Sequence, residues 1–240
     1  MAKTSQGIAV VALLTIVGCS VDSGPTQTAS EQVEVGKAEA VKAEITMGAG
    51  ELNITGGGSR LLTGSFRYSE KVGRPSVKYE VTGTEGRLVV ESPRNSTSSG
   101  KTVNEWELQM GSDAPLDLTV ALGAGESKLD LSQLPVRSVE VNMGAGEMTL
   151  NMDGRYKRDV TVEVNGGVGE ARIGLPKDVG AEVEATGGIG EISTKGLTKR
   201  DGKYYNDAYA EGKPTVRMKV QGGIGNIILS VGSSNAGSAN

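Results

Sequence analysis

The sequence predicts an all-β protein: a parallel β-helix, or solenoid, of about 21–23-residue coils with Gly-x-Gly corners, capped by an N-terminal β portion. Three observations predict this fold. A glycine-rich signature returns six times along the chain. Apolar and polar residues alternate on both sides of each copy, which is the period of a strand with one buried face. Aromatic residues make up only 3% of the chain, so its interior must be narrow and aliphatic.

The chain opens with a segment typical of a lipoprotein signal peptide, over residues 1–18. Lys3 precedes an apolar run from Ile8 to Val17, which is too short to span a bilayer. The residues Ile16 to Cys19 resemble a bacterial lipobox, which implies cleavage before Cys19 and attachment of acyl chains such as palmitate at its sulfur. The alternative is an ordinary buried cysteine in an uncleaved anchor.

An acylated Cys19 predicts export across the inner membrane and anchoring to a bacterial membrane by lipid. By the same resemblance, Ser20 at the next position implies sorting to the outer membrane in a Gram-negative cell. Each buried methylene contributes about 0.8 kcal/mol, so two or three acyl chains hold a protein firmly. Residues 19–40 are polar and small with one proline, which predicts a flexible tether.

The region 41–116 is predicted to be an N-terminal β portion that covers one end of the solenoid. Beyond residue 58 it alternates without the corner signature, and "TGTEGR" is typical of a hairpin turn. Trp106 is expected in the core of this cap, the alternative being a platform on which a sugar stacks.

Residues 117–232 are predicted to form the solenoid repeats, and residues 233–240 a disordered tail. From Gly123 the first glycines of successive copies are 21, 23, 21 and 35 residues apart, and a period in the twenties indicates a solenoid. Glycine at a sharp corner accepts a positive φ and lets neighbouring backbones approach closely. The predicted structural corner glycines are Gly48, Gly50, Gly123, Gly125, Gly144, Gly146, Gly167, Gly169, Gly188, Gly190, Gly223 and Gly225.

A glutamate follows the corner in five copies, and Asn226 takes its place in the last copy along the chain. Alternation places these residues on the outer face, about 5 Å apart if the coils are in register. Repulsion between neighbours is then about 1 kcal/mol, which flanking lysine and arginine or bound cations could offset. The candidate cation ladder is Glu51, Glu126, Glu147, Glu170 and Glu191. Calcium is the cation that such a row of carboxylates would most specifically bind. The copies lack the aspartate of the calcium-binding nonapeptide, however, so we predict no metal and no cofactor.

The long insertion before the last copy concentrates tyrosine and cationic residues. Its candidate surface-binding residues are Lys199, Arg200, Tyr204, Tyr205 and Tyr209. Loops on a rigid scaffold often carry binding residues. The alternative is a loop that folds onto the side of the solenoid and covers apolar surface.

Composition excludes several classes of function. The chain has no histidine and one cysteine, which excludes Ser-His-Asp and Cys-His catalysis and any internal disulfide. The formal net charge is −4 without a basic block, so no nucleic-acid partner is expected. We predict that the protein is not an enzyme. A polysaccharide-active β-helix enzyme, using outward carboxylates such as Glu182 and Glu184, is the less favoured alternative.

The order of the segments resembles the bacterial toast-rack family. The segments "AEITMGAGELNITGG", "LLTGSFRY", "PSVKYEV", "GRLVVESP" and "APLDLTVALGAGESKLDLSQLPVRSVEVNMGAGEMTLNM" carry the resemblance, which covers residues 41–232. It implies a β-solenoid of stacked slices, often lipid-anchored and related to domains of cell-wall-stress response proteins, with no catalytic residues to transfer.

The favoured function is a non-enzymatic, lipid-anchored envelope protein that presents its surface to an envelope protein or glycan. The alternative is an accessory in envelope-stress sensing. The ligand and the oligomeric state stay open.

Overall fold

The computed structural model describes residues 25–93, 102–210 and 213–232. Within these ranges the regular structure is entirely β, and no helix is present that could cross a membrane. The strands are β1 Thr26–Val33, β2 Ala40–Gly58, β3 Leu62–Ser69, β4 Ser76–Thr82, β5 Glu85–Glu91, β6 Asn104–Gly111, β7 Leu116–Asp130, β8 Val136–Asn151, β9 Val160–Leu175, β10 Gly180–Ile189, β11 Ile192–Lys195, β12 Thr198–Arg200, β13 Lys203–Tyr205 and β14 Thr215–Val231. The all-β prediction is confirmed.

All the strands belong to one mixed sheet. Its main path runs β1-β3-β6-β2-β7-β8-β9-β14-β10-β13-β12, while β5 and β4 extend from β2 and β11 pairs with β14. The six strands that carry the glycine signature are neighbours and run parallel, in the order β2, β7, β8, β9, β14 and β10 with its continuation β11. We call these six strands the array, and each of them a rung.

The rungs pair in register, so equivalent residues of each copy lie side by side. Gly146 pairs with Gly125 on one side and with Gly169 on the other. The order of the rungs differs from the order along the chain in one place, because β14 lies between β9 and β10. All copies share the same alternation of buried and exposed positions, so this alternation cannot specify which copies are neighbours.

Each rung bends at its glycines, and this bend places the core. In β8, Met143 before the corner and Met148 after it are both buried, although they are five residues apart. In a flat strand an odd spacing puts two side chains on opposite faces. We call the parts of a rung before and after its corner the first and the second arm. Gly146 has a φ of +131° and redirects the second arm, so that side chains of both arms point into the same core. The core is therefore an aliphatic column that includes Val141, Leu150 and their equivalents in the other rungs.

The strands β1, β3, β4, β5 and β6 form a cap that covers one end of the array. The first arm of β2 pairs with β5 and its second arm with β6, beyond which lie β3 and β1. Trp106 on β6 is fully buried, and its ring meets that of Phe66 edge-on with centroids 5.5 Å apart. Trp106 therefore packs in the core of the cap, as predicted. The hairpin predicted at "TGTEGR" joins β4 to β5.

One part of the predicted tether needs correction. Residues 26–33 are not a flexible segment but strand β1, paired with β3 along its whole length. The small alternating residues Ala29 and Val33 are buried there, so a composition that looks disordered still offers a strand with one dry face. Strand β2 lies within the array, although it falls in the predicted N-terminal portion. The predicted signal peptide 1–18, Cys19 and the tail 233–240 lie outside the described residues.

Candidate binding surfaces at the corner and the open end

The corner glycines lie where neighbouring backbones touch. A Cβ added to Gly144 would sit 2.3 Å from the carbonyl oxygen of Gly123, and one added to Gly146 would sit 1.8 Å from that of Gly125. The other predicted corner glycines meet a backbone oxygen of the preceding rung or of Asn104 in the same way, with one exception. Gly48, at the end of the array, has no atom within 4 Å of its added Cβ. Except at Gly48, the stacking of rungs, more than the turn itself, demands glycine at the first position of the pair.

The candidate glutamate ladder forms on the outer face, in an order the sequence did not predict. Its members in spatial order are Glu51, Glu126, Glu147, Glu170, Asn226 and Glu191. Asn226 lies inside the ladder, and its Oδ1 accepts a hydrogen bond from the Glu191 backbone N–H at 3.2 Å. The neutral amide therefore separates the carboxylates of Glu170 and Glu191.

Basic side chains of the second arms offset the repulsion within the ladder. Lys128 Nζ lies 2.8 Å from Glu126 Oε1, and this carboxylate raises the pKa of Lys128. Arg172 pairs with Glu170 and reaches to 3.7 Å from Glu147 Oε2. In the described part of the chain, no three acidic or other ligating side chains converge on a point that could hold a metal ion. The ladder is an acidic stripe with its own counter-ions.

We expect Arg172→Gln to destabilise the protein by about 0.5–1 kcal/mol at low salt, because it leaves Glu147 and Glu170 side by side without their shared cation. The loss should shrink towards zero in 1 M NaCl, where the screening length is about 3 Å. Urea unfolding at both salt concentrations measures it. Arg158→Gln removes the same charge from an exposed loop and is the control. An equal effect of both changes would show that only net charge matters.

The residue between the two corner glycines becomes larger along the array. The middle residue of each Gly-x-Gly is, in spatial order, Ala49, Ala124, Ala145, Val168, Ile224 and Ile189. Val168, Ile224 and Ile189 are 54%, 52% and 72% exposed. We call this row of three the distal ridge. Sequence reasoning missed it, although the change from alanine to valine to isoleucine between the glycines was a readable signal.

The interior changes at the same rungs. Beneath the corner the first three rungs place Met47, Leu122 and Met143, whereas the last three place Gly166, Gly222 and Gly187. The missing side chains leave an apolar cleft, lined by Met143, Met148, Val164, Val220, Ile227 and corner glycines. In the last three rungs, the apolar side chain is therefore absent from the inner side of the corner and present on its outer side.

The five candidate loop residues come together against the last rung. The hairpin β12–β13 pairs with β10, placing Tyr204 opposite Val183. Lys199 Nζ lies 5.0 Å from the ring centroid of Tyr204, and Arg200 Cζ lies 4.6 Å from that of Tyr205. Tyr204 is buried. The Tyr205 and Tyr209 rings are 4.7 Å apart. Part of this cluster therefore covers apolar surface, and two of its rings already face cations.

The hairpin and the residues after it are fixed to the first part of β10 and to the loop directly before that strand. Asn206, which is buried, accepts a hydrogen bond from the Ala181 N–H and donates to the carbonyls of Pro176 and Val179. Glu182 binds Lys203 Nζ at 2.5 Å and Tyr209 OH at 3.4 Å. The Glu182 carboxylate, a candidate in the enzyme alternative, is thus held in structural contacts.

The comparison with protein families decides what kind of chain this is. Residues 22–174 match the family described as the N-terminal domain of toast_rack, DUF2154. The chain belongs to the toast-rack family. The match spans β1 to β9, so the last two rungs of this toast-rack protein lie beyond it.

Solved structures similar to this toast-rack chain include one described as "a putative cell adhesion protein from Clostridium sporogenes". It is 31% identical, the alignment covers 86% of this chain and 99% of that one, and the TM-score is 0.79. A second, described as "a putative adhesin" from Bacteroides fragilis, is 11% identical over 85% of this chain and 96% of that one, and its TM-score of 0.21 carries no argument. The search of curated proteins found no match.

Proposed function

We propose that this toast-rack protein is a non-enzymatic envelope protein, held at a bacterial membrane by lipid on Cys19, that binds another envelope protein through the distal ridge. Its rungs wind as the coils of a β-solenoid, with the ridge along one corner. The similar structure described as "a putative cell adhesion protein" supports a binding role.

The observation that carries the proposal is the position of the ridge in the sheet. Strand β1, which follows the proposed anchor, lies in the cap at one end of the sheet, whereas rung β10 is the last rung at the opposite end of the array. Neighbouring strands are about 4.8 Å apart, so the seven steps from β1 through β14 displace the ridge well away from the anchored end. Exposed β-branched side chains on the end farthest from the anchor are placed to meet a partner.

The chemistry of the ridge favours a protein partner. Three aliphatic side chains beside a glycine-lined cleft offer apolar area and no hydrogen-bonding groups of their own. Exposed apolar patches on soluble domains commonly mark interaction sites. A sugar usually stacks on an aromatic ring, and the single tryptophan, Trp106, is buried in the cap. The ridge also lacks any acid, base or nucleophile, which supports a non-enzymatic role.

Photo-crosslinking in intact cells tests the binding surface. A benzophenone amino acid placed at Ile189 or Ile224 should give a discrete adduct with another envelope protein. The same group at Ala124, an exposed corner position near the capped end, is the matched control and should give none. No adduct at either ridge position, or equal adducts at all three, would overturn the ridge as the binding surface. Adducts with glycan alone would overturn the choice of a protein.

Metabolic labelling with an alkyne analogue of palmitate tests the anchor. The wild-type chain should take up the label and sediment with membranes, whereas Cys19→Ser should not be labelled. Ser20→Ala retains the cysteine and should be labelled like the wild type. Equal labelling of the Cys19→Ser variant would show that lipid is attached elsewhere.

A further inference from the structure

The last rung has one edge that its own hairpin leaves uncovered. Strand β13 pairs with β10 only at Glu182 and Val183. From residue 184 to Lys195, the described chain pairs with β14 on one side and with no strand on the other. An uncovered strand edge is a template for pairing with another chain.

The hydrogen bonds of Glu191, the residue directly before β11, show which backbone groups of β11 face outwards. The Glu191 carbonyl accepts from the Ile227 N–H at 2.9 Å, and the Glu191 N–H donates to Asn226 Oδ1. Both groups of Glu191 therefore point into the array. Backbone groups alternate in direction along a strand, so those of Ile192 and Thr194 point to the open edge.

From this edge we infer that two copies of the chain pair antiparallel through β11, about a two-fold axis at Ser193. In this register Ile192 of each copy lies opposite Thr194 of the other, and these are the residues whose backbone groups face outwards. Each such pair exchanges two hydrogen bonds. The interface is isologous, as in most homodimers.

Charge complementarity fixes the register. The same axis places Glu191 of each copy opposite Lys195 of the other, in a non-hydrogen-bonded pair, where facing side chains are closest. Both side chains are exposed on the outer face, and within the described residues neither takes part in an ion pair. An axis at Glu191 or at Lys195 would instead oppose like charges.

A comparison between rungs supports a special role for Lys195. The residues at its position in the other rungs are Ser230, Gly174, Asn151, Asp130 and Thr55. A basic residue four positions after the ladder position therefore occurs only on the rung at the open edge. Interior rungs have a neighbour on both sides, and they carry no such cation.

Charge reversal tests the pairing in the full mature chain carrying Cys19→Ser, by sedimentation equilibrium. The parent should be dimeric, and Glu191→Lys and Lys195→Glu should each raise the dimer dissociation constant at least tenfold. An equimolar mixture of the two variants should dimerise again, because each supplies the charges that the other lacks, and the double variant should self-associate like the parent. Glu163→Lys, on the outer face of β9, is the control and should leave the constant unchanged.

Ser193→Cys in the same background tests the axis. Non-hydrogen-bonded antiparallel partners have Cα atoms about 4.5 Å apart, which suits a disulfide. Mild oxidation should therefore crosslink this variant, whereas Thr161→Cys on β9, away from the paired edge, should form no disulfide-linked dimer. The inference would be overturned if the parent chain were monomeric at millimolar concentration. It would also be overturned if the dissociation constant of the dimer were unchanged by both charge reversals and Ser193→Cys failed to crosslink. Neither test alters the distal ridge, so the crosslinking result at Ile224, which lies on β14 and not on the open edge, stands separately.

Discussion

Gly144→Ala is expected to destabilise the protein by about 3 kcal/mol, whereas Gly48→Ala should change stability by less than about 0.5 kcal/mol. The two glycines occupy the same position of their repeats, and neither has a positive φ. They differ in surroundings, because a Cβ on Gly144 meets the Gly123 oxygen at 2.3 Å while one on Gly48 meets nothing within 4 Å. The obstacle at Gly144 is backbone of a hydrogen-bonded rung, which cannot move aside as a flexible side chain can.

Urea unfolding followed by far-ultraviolet circular dichroism measures both changes. Gly146→Ala extends the series, since it adds the strain of a φ of +131° to a contact of 1.8 Å and should cost more than Gly144→Ala. Equal losses at Gly48 and Gly144 would mean that glycine is required by the local turn rather than by stacking. No loss at Gly144 would show that the rungs can separate locally without cost.

Trp106→Ala is expected to destabilise the protein by about 3–5 kcal/mol, the usual range for truncating a fully buried large aromatic residue. The change removes the edge-on contact with Phe66 and leaves Asn104 Oδ1 without the Trp106 Nε1 donor that lies 2.8 Å away. The Asn104 side chain also donates to the Ala49 carbonyl at 2.6 Å. Loss of the indole therefore loosens the seam between the cap and the first rung, and not the cap alone.

Trp106→Phe is the matched control for this prediction. It keeps an aromatic ring beside Phe66 and removes mainly the indole hydrogen bond, so the expected loss is about 1–2 kcal/mol. Circular dichroism follows unfolding in both variants, since the chain has no other tryptophan to report by fluorescence. If phenylalanine costs as much as alanine, the hydrogen bond to Asn104 dominates and packing is secondary.

Several local features could be predicted because they depend on short-range chemistry. The alternation around Val141 and Leu150 predicts strands with one dry face, and both residues are buried. The hairpin between β4 and β5 follows from its turn residues. The tether prediction was wrong for residues 26–33 because a pairing strand, β3, is supplied from elsewhere in the chain. A composition rule has no access to that partner.

The candidate surfaces, too, could be predicted from the sequence only in part. The ladder of Glu126, Glu147 and Glu170 follows from repeat position, because in-register pairing preserves that position in every rung. The location of Asn226 within the ladder does not, since it depends on β14 entering between β9 and β10. The distal ridge needs the same crossover, which brings Ile224 between Val168 and Ile189.

The sequence by itself determined the strands of the repeats, which of their residues are buried and the glycines of the corner, because a period of two and the absence of a side chain act within a few residues. The tertiary structure decided which rungs are neighbours, where the array is left open and which glycines are needed for space. Those properties arise from contacts between segments far apart in the chain, and the strand pattern that the repeats share does not say which of them will touch.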